Sequence, residues 1–237
     1  MAIWFALVLA AYLIGSIPVA YLVARFTLGI DIRRHGTGQV GAGNLWRMTS
    51  WKLGIPSGAF DLGKGMAMVW VAHLLGLSVA QQLIVGAAAV AGHNWSVFLR
   101  FSGGRGVATA MGVVLILPLI NRMSPWPIVA CFACLAGGTI ILRSSPLPVL
   151  AGITLLPIVS AFYEPVATTL GFLALFLVVV MKRLVAPRAA EATSVSRKRV
   201  LWNRFLFDRD IMDRQAWMSR LPFKAKIMEK SGSENDR

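Results

Sequence analysis

A chain of 237 residues is long enough for one compact domain, but its composition excludes a soluble one. Hydrophobic residues make up 57 % and charged residues 14 %, against about 45–50 % and about 25 % in soluble domains, so lipid has to serve as a second solvent. The formal charge of +14 does not read as a nucleic-acid footprint, because it is divided between a polar tail (residues 182–237, 14 Lys/Arg against 7 Asp/Glu) and the rest of the chain (10 against 3), where loops on one membrane face hold most of it.

Seven apolar segments follow one another, approximately 2–28, 56–77, 79–98, 106–121, 125–142, 147–163 and 165–181. Each lies near the roughly 20 residues that a bilayer demands. The first has neither a basic n-region nor an A-x-A-like end, so it reads as a retained span rather than a cleaved signal. The predicted fold is therefore all-α: a polytopic membrane helix bundle of about seven transmembrane helices over residues 1–185. A basic, partly amphipathic cytoplasmic tail follows over 186–237.

An odd number of spans puts the termini on opposite sides. With the N-terminus outside, the inner loops receive Arg33, Arg34, Arg47, Lys52, Arg100, Arg105, Arg143 and the basic tail. The outer side then holds only Arg122 and Glu164. The excess of positive charge inside selects an N-out, C-in topology, with the long loop and the charged motifs facing the cytoplasm.

That loop, 29–55, contains His35-Gly-Thr-Gly-Gln-Val-Gly-Ala-Gly-Asn44. Gly36, Gly38, Gly41 and Gly43 leave its backbone bare, so that N–H groups can converge on an anion such as phosphate. Thr37, Gln39 and Asn44 add short polar groups, and Arg33, Arg34 and Arg47 add charge. The stretch formally matches G-x-G-x-x-G, but no strand precedes it and no βαβ unit surrounds it, so a dinucleotide site is excluded. A flexible connector has the same composition, and both readings stand at this point.

At the cytoplasmic start of the second segment lies Asp61-Leu-Gly-Lys64-Gly65. It imitates a P-loop, yet Gly65 stands where Ser or Thr must hold magnesium. An acid and a lysine inside a span are costly and usually functional, and at i, i+3 they share a face. They either clamp a charged ligand or form a structural ion pair. His73, deeper in the same segment, shows no partner and reads as structural. Gly92-His93-Asn94-Trp95 then leads to Gly103-Gly104-Arg105-Gly106, a glycine turn that carries a cation and opens a helix whose N-terminus favours an anion. His93 is either a proton carrier or a packing residue. Cys131 and Cys134 form a C-x-x-C in an apolar segment without further cysteines and read as small buried hydrophobes.

After Met181 the composition changes. Residues 186–199 look like a linker, and residues 200–228 interleave basic residues with Trp202, Phe205, Phe207, Trp217, Leu221 and Phe223. Such a stretch either lies along an anionic membrane surface or forms a partly ordered cytoplasmic tail.

Together the elements resemble the bacterial acyl-phosphate:glycerol-3-phosphate acyltransferase family. The resemblance runs through Gly15-Ser16-Ile17-Pro18, Gly36 to Asn44, Asp61 to Gly65, and Gly92 to Thr109, and covers roughly residues 12–112. It implies a seven-helix protein of the bacterial plasma (inner) membrane with its active site facing the cytoplasm. The implied reaction moves an acyl group from acyl phosphate to the 1-hydroxyl of glycerol 3-phosphate, giving lysophosphatidic acid and phosphate. Neither cofactor nor metal is expected; the partners are the two substrates and membrane lipid. By position, Thr37, Arg105 and Lys64 would be catalytic. Gly36, Gly38, Gln39, Gly41, Asn44, Asp61, Gly103, Gly104 and His93 would form the phosphate-binding set. Thr37 replaces a serine of the family pattern, Gln39 an asparagine, Gly43 a threonine and Arg105 a lysine. The His and Asn that the family places near the end of the seventh span have no counterpart here. Those departures leave two alternatives: a catalytically impaired relative that binds phosphorylated lipid as a scaffold, or a phospholipid transporter.

Overall fold

The computed structural model describes residues 2–186, 192 and 194–219, and every regular element among them is helical. Helix α1 (Ala2–Gly15) and α2 (Val19–Leu28) divide the first apolar segment, which the sequence analysis took as one span. The division has a local cause. Pro18 has no N–H to return to Ile14 and its ring disfavours helical backbone before it, so the helix stops and restarts. A 3-10 turn (Ile32–Arg34) and the short α3 (Ala42–Met48) fill the glycine-rich loop. Then come α4 (Trp51–Leu74), α5 (Val79–Asn94), a 3-10 turn (Val97–Leu99), α6 (Val107–Asn121), α7 (Trp126–Leu142), α8 (Pro146–Tyr163) and α9 (Val166–Leu184). Two further helices, α10 (Arg197–Phe207) and α11 (Arg214–Ser219), lie in the expected tail.

Each expected apolar segment is helical. Ala2–Leu28, Val79–Leu99, Pro146–Tyr163 and Val166–Leu184 are long and apolar enough to cross a membrane, while Val107–Asn121 and Trp126–Leu142 are apolar but shorter. Large apolar side chains point outward along the bundle, with Ile141 80 %, Phe162 81 % and Leu119 75 % exposed. In water such a surface is untenable; against lipid tails it is neutral.

Lipid also removes the usual hydrophobic incentive for helices to associate, so close backbone contact has to supply it. Gly15 of α1 lies against the backbone of Ala89 on α5, and Gly92 of α5 against the backbone of Tyr12 on α1. Gly65 of α4 meets the carbonyl of Thr109 on α6, and Gly112 of α6 that of Leu62 on α4. Any side chain at these four positions would force the helices apart. A core of Leu83, Val113, Leu117, Ile153, Leu156 and Phe172 fills the space between α5, α6, α8 and α9.

The two ends of the bundle differ in charge. At one end Arg33 reaches the carbonyl of Leu99, Arg105 that of Lys182, Arg183 that of Pro146, and Arg214 that of Arg143. The other end holds Arg122, Glu164 and neutral polar contacts. The Glu164 carboxylate accepts from the Ser124 N–H, and Asn121 bonds Gln82 and lies 3.2 Å from His73 Nδ1. His73 therefore has a partner, contrary to the sequence reading; Asn121 comes from a different helix and no spacing announces it.

The linker expected over 186–199 ends early. α10 opens at Arg197, where the Ser196 hydroxyl accepts from the Arg199 N–H. Nor does α10 merely trail from the bundle. Arg204 forks onto Asp210 (Nε–Oδ1 2.6 Å, Nη2–Oδ2 3.1 Å) and donates to the Leu184 carbonyl, while Arg183 donates to that of Phe205. Leu221 and Phe223 lie outside the described residues.

Candidate active site

The break at Ser16-Ile17-Pro18 leaves carbonyls without helical partners. Ser96 Oγ donates to the Ser16 carbonyl, and Lys64 Nζ donates to the Ile17 carbonyl at 3.3 Å. Lys64 Nζ also lies 2.9 Å from Asp61 Oδ1 and 2.9 Å from His93 Nδ1. The side chains of Lys64 and Asp61 are 2 % and 4 % exposed, so each buried charge is paired. His93 Nδ1 also lies 3.3 Å from Asp61 Oδ1, so the ring faces both the ammonium and the carboxylate. Lys64 Nζ thus has three neighbours within the protein: the Ile17 carbonyl, Asp61 one helical turn away, and His93 across the α4–α5 interface.

The glycine-rich loop is held by one side chain. Asn44 Oδ1 accepts the Thr37 N–H at 2.9 Å, and Asn44 Nδ2 lies 3.0 Å from the His35 carbonyl, 3.1 Å from that of Gln39 and 3.3 Å from that of Ile32. Gly36 and Gly38 take φ of +59° and +72°, which side chains rarely tolerate. A Cβ on Gly36 would also strike Asn44 Oδ1. The loop is built rather than floppy, and Asn44 faces inward as its staple. Arg33 is likewise used internally. Its guanidinium pairs with Asp31 (Nη2–Oδ2 2.6 Å), and that hydrogen-bonded pair holds the Asp31 carboxyl below its ordinary range. Partial burial pushes the His35 imidazole below its ordinary value.

Arg105 follows Gly103-Gly104, whose N–H groups bond the Asn94 and His93 carbonyls. Its Nη1 donates to the Lys182 carbonyl at 2.9 Å, and its Nε lies 3.0 Å from Asp208 Oδ1. Gln39 Nε2 donates to Asp208 Oδ2 at 3.2 Å.

These elements surround a cavity of about 520 Å³. Thr37, Gln39, Gly41, Asn44, Asp61, His93 and Arg105 line it. Gly36, Gly38, Lys64, Gly103 and Gly104 do not; they stand one layer behind, shaping the loop or holding the residues that do. Asp208, Arg209, Arg214, Arg183, Ser144 and Ser145, to which the sequence motifs assign no site role, line it as well. Of the loop arginines only Arg47 reaches the wall. Val107, Met111, Leu135 and Val149 make part of it apolar. The space thus offers a cationic, hydrogen-bonding rim beside an apolar wall, the combination that an amphiphile with an anionic head requires.

A family model described as glycerol-3-phosphate acyltransferase matches residues 5–189. The chain belongs to the glycerol-3-phosphate acyltransferase family. This acyltransferase is 40 % identical over 218 residues to glycerol-3-phosphate acyltransferase 4 of Dehalococcoides mccartyi (strain CBDB1), covering 89 % of this chain and 91 % of the relative. With that coverage the match necessarily runs across residue 208. It is 45 % identical over 127 residues to a glycerol-3-phosphate acyltransferase of Thermus thermophilus, covering 54 % of this chain and 62 % of the relative. Among solved structures it resembles PlsY (YgiH), an integral membrane glycerol 3-phosphate acyltransferase, in its glycerol 3-phosphate form. The TM-score is 0.68 at 28 % identity, over 76 % of this chain and 88 % of that one. The lysophosphatidic acid form gives a TM-score of 0.67 at 26 % identity, over 86 % and 97 %. The acyltransferase is thus an integral membrane protein with several apolar helices.

Proposed function

We propose that the protein transfers an acyl group from acyl phosphate to the 1-hydroxyl of glycerol 3-phosphate, releasing lysophosphatidic acid and inorganic phosphate. The observation that carries this reading is the convergence of Thr37, Gln39, Asp61, His93 and Arg105, from three distant stretches, on one cavity with a basic rim and an apolar wall. An acyl phosphate is already activated. The hydroxyl oxygen attacks the acyl carbon, the bond from that carbon to the phosphate oxygen breaks, and the departing phosphate takes the hydroxyl proton. What the protein supplies is proximity of two anions and neutralisation of developing charge. Arg105, with Arg47 and Arg183, serves the phosphates; Thr37, Gln39 and the Gly41 backbone orient them; Lys64 fixes Asp61 and His93 from behind.

In this reading the chain crosses the bacterial inner membrane seven times, N-out and C-in, with the cavity open to the cytoplasm. The basic end formed by Arg33, Arg105, Arg143 and Arg183 supports that orientation. The test is direct: purified protein with acyl phosphate and glycerol 3-phosphate yields lysophosphatidate and phosphate in equal amounts. Ligand binding without turnover would instead favour a scaffold that recognises phosphorylated lipid.

A further inference from the structure

We infer that Asp208 is a positioning residue, brought in by the tail to hold the Arg105 guanidinium and the Gln39 amide in place over the cavity. The inference rests on the phosphate-binding role proposed for Arg105. The matched family range ends at residue 189, before Asp208.

The geometry is that of a two-sided clamp. One carboxylate oxygen of Asp208 lies 3.0 Å from Arg105 Nε and the other accepts from Gln39 Nε2 at 3.2 Å. The Lys182 carbonyl holds the opposite edge of the same guanidinium through Nη1. Of its five N–H donors Arg105 gives one, on Nη1, to the Lys182 carbonyl, while the Nε edge faces Asp208 as an ion pair, so the planar fork is held in one orientation from both sides. A lysine, with three rotating donors and no fork, gains much less from such a clamp. An arginine in place of the family's lysine and a carboxylate supplied from beyond the last span therefore belong together.

Asp208 is itself fixed. It closes α10 in the left-handed region, φ +57°, with its N–H on the Arg204 carbonyl. Arg204 is locked to Asp210 and to the end of α9, and Asn203 donates to the Asp210 carbonyl. Arg183 ties α10 to the start of α8. A carboxylate delivered by so anchored a corner stays in place when ligand arrives, which marks it as part of the frame rather than a removable plug.

The test is a double-mutant cycle on the full chain, Asp208→Asn, Arg105→Lys and both together. It reads turnover, the affinity for inorganic phosphate and the thermal midpoint. Asp208→Asn is expected to lower kcat roughly 10- to 100-fold with little change in KM, as misplacement of a catalytic group does. Asp208→Glu recovers part of the loss. In the Arg105→Lys background the same Asp208→Asn change alters kcat by less than about twofold, because the two residues act as one unit. Equal losses in both backgrounds would reduce Asp208 to tail packing, and a gain in rate or phosphate affinity would make it an obstruction; either overturns the inference. If the unaltered chain binds phosphate without turning substrate over, acyl transfer falls and the inference is read from binding alone. It stands if Asp208→Asn weakens phosphate only when Arg105 is present, and falls otherwise. An unaltered chain that neither turns over nor binds phosphate overturns both.

Discussion

Lys64 Nζ lies 2.9 Å from His93 Nδ1 and 2.9 Å from Asp61 Oδ1. Because the ammonium is buried between the two, removing it leaves the buried Asp61 carboxylate without its cation, facing the His93 ring. Lys64→Ala is expected to destabilise the folded protein by about 3–5 kcal/mol, the cost of breaking a buried pair, and to abolish turnover. A thermal midpoint within a degree or two of the unaltered protein would refute that role.

Asn44→Ala removes the bonds that shape the glycine-rich loop. Turnover is expected to fall by about 100-fold or more while the helical bundle, measured by far-ultraviolet circular dichroism, stays intact. Asn44→Asp keeps the oxygen facing the Thr37 N–H but sets a second oxygen against the His35, Gln39 and Ile32 carbonyls. It should be at least as damaging. Activity of Asn44→Asp close to that of the unaltered protein would overturn the staple.

Two glycines in that loop separate backbone strain from ligand contact. Gly36→Ala meets both a positive φ and the Asn44 oxygen, and is expected to unlock the loop and raise its rate of proteolysis. Gly41 has an extended backbone, φ −170°, and no atom within 4 Å of an added Cβ. Gly41→Ala should therefore fold normally and weaken phosphate binding only. A loss of stability in Gly41→Ala equal to that in Gly36→Ala would contradict this division.

Arg105→Ala is expected to abolish turnover, since it removes a cation that lines the cavity opposite Gln39 and Asp208. Near-normal kcat would refute the role given to Arg105.

Burial lowers the His35 pKa in the folded loop from an ordinary value near 6.5. The unfolded loop then binds the proton first, so the loop's stability is full above about pH 6.5 and is lost as the pH falls through the lowered folded value. Asp31 acts in the same direction, with its pKa held down by Arg33, but only around and below its ordinary 3.8. The hydrogen-exchange protection of residues 29–50, corrected for the intrinsic pH dependence of exchange, should fall between pH 7 and pH 5, and His35→Gln should flatten that dependence. An unchanged slope in His35→Gln would assign the effect elsewhere.

Much of this was legible in the chain itself. Apolar runs mark the helices because their length is set by the bilayer. Thr37, Asp61, His93 and Arg105 stand out because glycine beside a polar or charged group, inside or next to a span, is locally improbable. The roles within the site were less legible. Asn44 and Lys64 carry the same chemistry whether they point at a ligand or at the protein, and only their partners decide. Asp208 left no mark at all: one of three acids in a short stretch of mixed charge after Phe207 has no period or motif, and its meaning lies in Arg105, more than a hundred residues earlier. Even the division of the first segment at Pro18 was visible, yet continuous hydropathy hid it.

That division has a practical consequence for handling the protein. The Ile17 carbonyl receives one of the protons of Lys64 and the Ser16 carbonyl that of Ser96, so the break between the opening helices is tied to α4 and to the turn after α5 through its main chain. Trimming the first fifteen residues, or fusing a rigid partner that shifts them, should disturb the Asp61–Lys64–His93 cluster some fifty residues downstream.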